Sequence, residues 1–82
     1  MSSVNTTRYS LCKAIFTERR EETLAAAWTE SGNCITIPWE NDSGRENLHR
    51  AALALCDEMG WNGNLVGGWT NAGIVFVFVD VA

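Results

Sequence analysis

The clearest hydrophobic pattern in the chain spans residues 43–61 and predicts one amphipathic helix. Apolar residues recur there at helical spacing and therefore share one face. That face comprises Leu48, Ala51, Ala52, Leu55 and Met59. The opposite face is expected to be solvated and comprises Glu46, Asn47, Arg50 and Asp57.

Both ends of this helix carry residues that favour capping. Ser43 and Glu46 stand at the capping-box spacing, in which the hydroxyl accepts a hydrogen bond from the backbone amide of the third helical residue. Gly60 suits the left-handed position that follows a helix. Trp61 is then placed to fold back toward Cys56 in a Schellman closure.

Two strand patterns precede the helix. Residues 7–17 are rich in aromatic and branched side chains with rough alternation, and they predict the first strand. Residues 34–39 predict a later strand whose inward side comprises Ile35, Ile37 and Trp39. Pro38 lacks a backbone N–H, so it is expected at a sheet edge or at the end of that strand.

The segment between these strands is ambiguous. Residues 18–30 are strong helix formers that Thr17 could cap. However, residues 23–30 alternate like a strand, and the charged residues 18–22 suit a solvated hairpin tip. We favour a strand over residues 23–30, because the first strand needs a hydrogen-bonded neighbour; a helix is the alternative.

Two strands are predicted after the helix. Residues 65–69 form the fourth, in which Gly67 and Gly68 indicate a bulge or a close approach of another backbone. Residues 70–73 form a hairpin turn, with Asn71 and Gly73 suited to positive φ. Residues 74–81 form the last strand, which is apolar on both sides.

These elements predict a single α+β domain over residues 1–82, with a polar, frayed stretch at residues 1–6. The expected order is βββαββ, an antiparallel sheet with the one helix packed on one face. That helix leaves the second face of the last strand uncovered. We expect this second face to be covered by one of four elements: a second copy of the chain, a partner protein, a curl of the sheet or a helix within residues 18–30.

The net charge of −4 and the pI near 4.7 argue against a partner that is held mainly through phosphates. Nucleic-acid binding is therefore a minor alternative, and its candidates are Arg8, Lys13, Arg19 and Arg20. The longest apolar run, residues 74–79, is too short for a membrane helix. The first ten residues lack the apolar stretch of a signal peptide, so we expect a cytoplasmic protein.

Catalytic chemistry is not indicated. Cys12, Cys34 and Cys56 form no C-x-x-C motif and are expected to be free, buried thiols. His49 and Cys56 lie about 10 Å apart along the helix, which is too far for a nucleophile and its base. No cofactor or metal motif is present, and we expect that the protein is not an enzyme.

Binding to another protein is the better-supported expectation. Of the four tryptophans, Trp39 and Trp61 are assigned to the core, whereas Trp28 and Trp69 could lie in the core or at an interface. The candidate contact residues are acidic positions of the helix and loops, together with one aromatic: Glu40, Asp42, Glu46, Asp57, Glu58 and Trp69.

The helix ENLHRAALALCDEMGW, followed by NGNLVGGW and GIVFVFV, resembles small uncharacterised proteins of phages and prophages. The resemblance covers residues 45–79. The order of elements, the size and the acidity are also similar to those of small anti-CRISPR proteins, which block a host defence complex by surface contact. The resemblance implies an inhibitor that binds a protein of the host defence in the bacterial cytoplasm. A homodimeric structural or accessory protein is the alternative.

Overall fold

The computed structural model describes residues 14–40 and 42–79. Within them it has five strands and one helix: β1 (Ala14–Arg20), β2 (Leu24–Trp28), β3 (Cys34–Pro38), α1 (Gly44–Met59), β4 (Asn64–Trp69) and β5 (Ile74–Val79). The strands form one antiparallel sheet in the order β3-β2-β1-β5-β4. The predicted α+β fold and the βββαββ order are confirmed, and β3 and β4 form the two edges.

β1 ends later than predicted. It continues to Arg20, so residues 18–20 belong to the strand and not to the hairpin tip. Glu18 and Arg20 share one side of the strand and form an ion pair, with 2.8 Å between Oε2 and Nε. The Arg20 guanidinium also lies 5.0 Å from the centre of the Trp28 ring. The ion pair and the contact with the Trp28 ring explain how these charged residues are accommodated in the β1–β2 strand pair. The predicted residues 7–13 lie outside the described part.

The segment after β1 forms a strand, and the alternative of a helix is wrong. The hairpin tip is short and is formed by Glu21 and Glu22, with φ of 52° and 63°. Arg19 donates hydrogen bonds from Nε and Nη2 to the carbonyl of Glu22, at 3.1 and 2.8 Å. β2 then pairs with β1 over five residues. The side chain of Arg19 therefore stabilises a turn that the charge pattern alone did not define.

Both predicted caps of α1 are present. Ser43 has extended backbone dihedrals, and its hydroxyl accepts a hydrogen bond from the Glu46 amide at 3.2 Å. Gly60 has a φ of 72°, and the Trp61 amide donates to the Cys56 carbonyl at 2.9 Å. Because these contacts satisfy backbone groups at the helix ends, they fix where α1 begins and ends.

The predicted polar and apolar faces of α1 need two corrections. Asn47 was assigned to the solvated face, but it is completely buried. Its side chain accepts hydrogen bonds from the Glu40 amide and from Arg50, and donates one to the Ser43 carbonyl. These partners compensate the cost of burying an amide. Met59 was assigned to the apolar stripe, but it is exposed.

The core lies between α1 and one face of the sheet, which we call the helix-bearing face. Its buried cluster comprises Ile15, Ala25, Ala27, Leu48, Ala51, Ala52, Leu55, Cys56, Ile74 and Phe76. Alanines on both α1 and β2 allow the helix to come close to that strand. As a result α1 lies mainly over β2, β1 and β3, touches β5 only slightly and does not reach β4.

The β4–β5 hairpin pairs without interruption from Asn64 opposite Val79 to Trp69 opposite Ile74. The predicted bulge at the paired glycines is therefore wrong. The predicted positive φ is absent at Asn71 and also at Gly73. Gly73 is needed because a β-carbon there would overlap the carbonyl of Thr17. The Thr17 hydroxyl also exchanges two hydrogen bonds with the backbone of Ile74, at 2.7 and 3.2 Å.

The opposite side of the sheet, which we call the back face, carries apolar residues of several strands. The alternation of β5 predicted from the sequence is confirmed as far as Val79, since Ile74 and Phe76 are buried toward the helix. Phe16 stacks on Trp28 at 5.9 Å between ring centres. Val66 and Val79 remain exposed, at 53% and 39%. No element within residues 14–40 and 42–79 lies across the back face. That another chain or segment covers this face therefore stays a prediction.

Candidate protein-binding groove

A groove opens beside α1 because the helix does not reach β4. Its volume is about 270 Å³. The helix and the β4–β5 hairpin line it with Arg45, Glu46, His49, Gly67, Trp69, Ile74 and Phe76. We call this surface the α1–β4 groove.

The floor of the α1–β4 groove is apolar. Ile74 and Phe76 are both buried, at 4% and 7% exposure, and they face the helix from β5. Gly67 lies opposite Phe76 across the strand pair. A β-carbon on Gly67 would stand only 2.7 Å from the Phe76 ring, so the glycine makes room for that ring. A larger residue at position 67 would therefore disturb the floor.

The rim of the groove is polar on the helix side. Arg45, Glu46 and His49 are exposed and lie on one flank of α1, since His49 follows the other two by four and three residues. The His49 ring also packs on the floor, with its centre 5.7 Å from that of Phe76 and the planes tilted by 31°. The rim thus offers a positive, a negative and a titratable group around one apolar surface.

Trp69 forms the opposite wall of the groove. It is the last residue of β4, and 65% of it is exposed. The other large exposed apolar residues of the described chain are aliphatic: Leu53, Met59, Val66 and Val79. An exposed indole beside an apolar hollow with a polar rim has the composition of a binding hot spot.

Only two of the six predicted contact residues meet in this groove, namely Glu46 and Trp69. Glu40 and Asp42 lie before the helix, where Glu40 pairs with Arg50 at 3.5 Å. Asp57 and Glu58 are exposed near the other end of α1, about 17–18 Å from Glu46 along a helix axis with a rise of 1.5 Å per residue. The acidic positions therefore do not form one cluster.

Sequence reasoning missed the other residues that line the groove: Arg45, His49, Gly67, Ile74 and Phe76. One signal was available, because Arg45 and His49 stand at helical spacing from each other and beside Glu46. The sequence did not show that the helix lies over β1–β3 and leaves the β4–β5 hairpin open. That lateral position decides which residues line a groove and which are covered.

The two cysteines of the described chain have different environments. Cys56 is buried in the core, as predicted, and desolvation raises the pKa of its thiol. Cys34 is exposed, so the prediction of burial is wrong there. It begins the edge strand β3 and lies on the back face, opposite Trp28. Cys12 lies outside the described residues.

Across residues 14–40 and 42–79 no three His, Cys, Asp or Glu side chains are grouped so that they could hold a metal ion. In the same residues no helix has the length and apolar character needed to cross a membrane.

Comparison of this chain with known protein families, characterised proteins and solved structures finds no match.

Proposed function

We propose that this protein acts by binding another protein and that the α1–β4 groove is part of its contact surface. The observation that carries the proposal is the 65% exposure of Trp69 beside the apolar floor of the groove. Exposing an indole to water has a free-energy cost that binding would recover, and tryptophan is enriched among the residues that dominate binding energy.

The open side of the groove, rather than its volume, favours a protein side chain over a small-molecule ligand. Small-molecule pockets usually enclose about 300–1,000 Å³ and bury most of the ligand. The α1–β4 groove has about 270 Å³, and one of its walls is a single exposed side chain. An apolar side chain of a partner would fill the floor, while Arg45, Glu46 and His49 would meet polar groups around it.

The proposed role of this binding is inhibition of a host defence complex by a phage-type protein. Three features support it: the small size, the net charge of −4, and the resemblance of residues 45–79 to phage and prophage proteins. An acidic surface complements the basic surfaces with which nucleic-acid-binding machines hold their substrates.

Affinity capture with matched variants tests the proposal. The wild-type protein, Trp69→Ala and Thr36→Ala are immobilised in equal amounts and exposed to lysates of candidate bacterial hosts, and the captured proteins are quantified by mass spectrometry. Thr36 is exposed on β3, away from the groove, so it serves as the control. We expect a partner that wild type and Thr36→Ala retain equally and that Trp69→Ala retains at least about tenfold less, the loss typical of one hot-spot residue.

Far-UV circular dichroism and thermal unfolding establish that each variant is folded. Titration of the purified partner then measures the affinity for each variant. Equal binding of wild type and Trp69→Ala would exclude the groove as the contact surface. Capture of no partner in any of the candidate hosts would count against the inhibitory role.

A further inference from the structure

β4 is an edge strand without the features that usually prevent further pairing. Edge strands are commonly protected by prolines, charged residues or short length. The sequence of β4 is NLVGGW, which contains no proline and no charge, and all of its residues except Leu65 are exposed. The other edge, β3, ends in Pro38. Within residues 14–40 and 42–79, one edge of the sheet is therefore blocked at its end, whereas the other is open.

Nothing in the described residues requires a glycine at position 68. Its φ is not positive, so the backbone does not require glycine. A β-carbon at this position would meet no atom within 4 Å. A glycine inside a strand lowers stability for two reasons. It loses more conformational entropy on folding than any other residue, and it has no side chain to pack against its neighbours. Gly67 is different, because the space that its missing side chain leaves is filled by Phe76. No described residue therefore fills the space above Gly68 on the back face.

We propose that β4 pairs with β4 of a second copy of the chain, antiparallel, about a twofold axis that passes through Gly67. Residues directly opposite each other in an antiparallel pair point to the same face. This register places Val66 opposite the partner subunit's Gly68. Val66 is 53% exposed on the back face, and its side chain would fill the space that Gly68 leaves empty. By symmetry the same contact forms twice.

The pairing also gives Trp69 a neighbour. On the helix-bearing face, the same register places Trp69 opposite the partner subunit's Leu65. Because β4 carries no charge, two copies can pair without opposing like charges in the strands. A second copy fits better than an unrelated strand, because a single twofold axis places the exposed Val66 of each copy over the space beside Gly68 of the other.

The resulting dimer has one continuous sheet with both α1 helices on the same side. The interface consists of one six-residue strand from each copy, so it falls at the weak end of specific interfaces. We expect dissociation in the micromolar range. The inference goes beyond the proposed function, because Val66 and Gly68, on which its test depends, lie on the back face and do not line the α1–β4 groove. Trp69 is shared by the two proposals, so it is not varied in the test of the dimer.

Sedimentation velocity over micromolar to millimolar concentrations tests the dimer. The wild-type mass should rise from monomer to dimer. Gly68→Val should weaken association at least about tenfold by filling the space that Val66 needs, while the monomer tolerates it. Val66→Lys should also weaken association, because it places a charge on the edge strand β4. Thr36→Lys introduces the same charge at the other edge and should have no effect.

The double variant Val66→Gly/Gly68→Val distinguishes this register from general damage to the edge. It exchanges the valine and the glycine, so the valine introduced at position 68 would again face a glycine of the other copy, and dimerisation should return. Thermal unfolding at low concentration should show that all variants are folded. A wild-type protein that stays monomeric at millimolar concentration would overturn the dimer. Association that is unchanged in Gly68→Val, or not restored in the double variant, would overturn the proposed register.

Discussion

The Phe76 ring packs so closely against the backbone of Gly67 that a β-carbon on Gly67 would lie 2.7 Å from Cε1 of the ring. The same hypothetical atom would also lie 2.9 Å from Ile74. The floor of the α1–β4 groove therefore depends on the absence of one side chain in the neighbouring strand. This contact connects an edge strand that the helix does not cover to a residue of the hydrophobic core.

Gly67→Ala should destabilise the protein because the added methyl group forces Phe76 or Ile74 to move. Overpacking of this kind costs about 1–3 kcal/mol. The matched control is Gly68→Ala, which adds the same methyl group where no atom lies within 4 Å. It should be neutral or stabilise by about 0.5 kcal/mol. Urea unfolding of both variants measures the difference, and equal stability would show that the floor adjusts freely.

Asn47→Ala should destabilise the protein by about 1–3 kcal/mol, the cost of leaving buried hydrogen-bonding groups without partners. The Asn47 side chain accepts hydrogen bonds from the Glu40 amide at 2.9 Å and from Arg50 Nη2 at 2.8 Å. The substitution removes the acceptor of both bonds next to the start of α1. Thr36→Ala is the control, because it removes a polar group at an exposed position and so measures the effect of losing polar atoms without burial. A loss no larger than that of the control would mean that water replaces the amide.

Ser43→Ala should lower the free energy of unfolding by about 1 kcal/mol, because the Glu46 amide loses the hydroxyl that caps it. Ser43→Asp restores an acceptor at the same position and also places a negative charge at the helix N-terminus. We expect Ser43→Asp to match or exceed the wild-type stability in urea unfolding. If Ser43→Ala is as stable as the wild type, the cap contributes nothing measurable.

The helix was predictable from sequence because its signals are local. The capping residues and the Gly60–Trp61 closure act within one turn of α1, and the structure has both. Asn47 was misplaced because its partners include Glu40, a residue outside the helix. A polar residue at the border of an apolar stripe does not reveal by itself whether another segment will supply hydrogen-bonding groups.

The groove was less predictable, because it depends on where the helix lies across the sheet. The sequence predicts Glu46 and Trp69 as contact residues for unrelated reasons, the one for its charge and the other for its ring. Their proximity results from the sheet order, in which β5 and β4 lie beyond β1. Sequence patterns assign residues to faces of elements, whereas long-range strand order decides which faces meet.

Thiol labelling should separate the two described cysteines. In a Cys12→Ser background, a reagent such as iodoacetamide should modify exposed Cys34 rapidly and leave Cys56 unmodified in the folded protein. Burial both shields Cys56 and raises the pKa of its thiol, so little of the reactive thiolate forms. Mass spectrometry of peptides from partly labelled protein identifies the site. Equal labelling rates at both positions would show that the core opens around Cys56.

The same thiol should make the stability of the protein fall at alkaline pH. Burial raises the pKa of Cys56 above its ordinary value of 9.0. Above the unfolded-state pKa, the unfolded chain releases the proton while the folded protein still holds it, so rising pH favours unfolding. The stabilisation is therefore complete below the unfolded pKa and is lost as pH rises toward the folded pKa. Urea unfolding from about pH 7 to about pH 10, where thiols titrate, should show this decline.

The Cys56→Ala variant should lose part of that decline, although its stability at neutral pH is lower because the substitution leaves a small cavity. The comparison therefore concerns the slope of stability against pH and not its level. Cys34→Ala, which removes an exposed thiol, is the control for loss of a sulfhydryl group as such. If Cys56→Ala declines as steeply as the wild type, other groups cause the alkaline destabilisation, and the buried thiol does not control it.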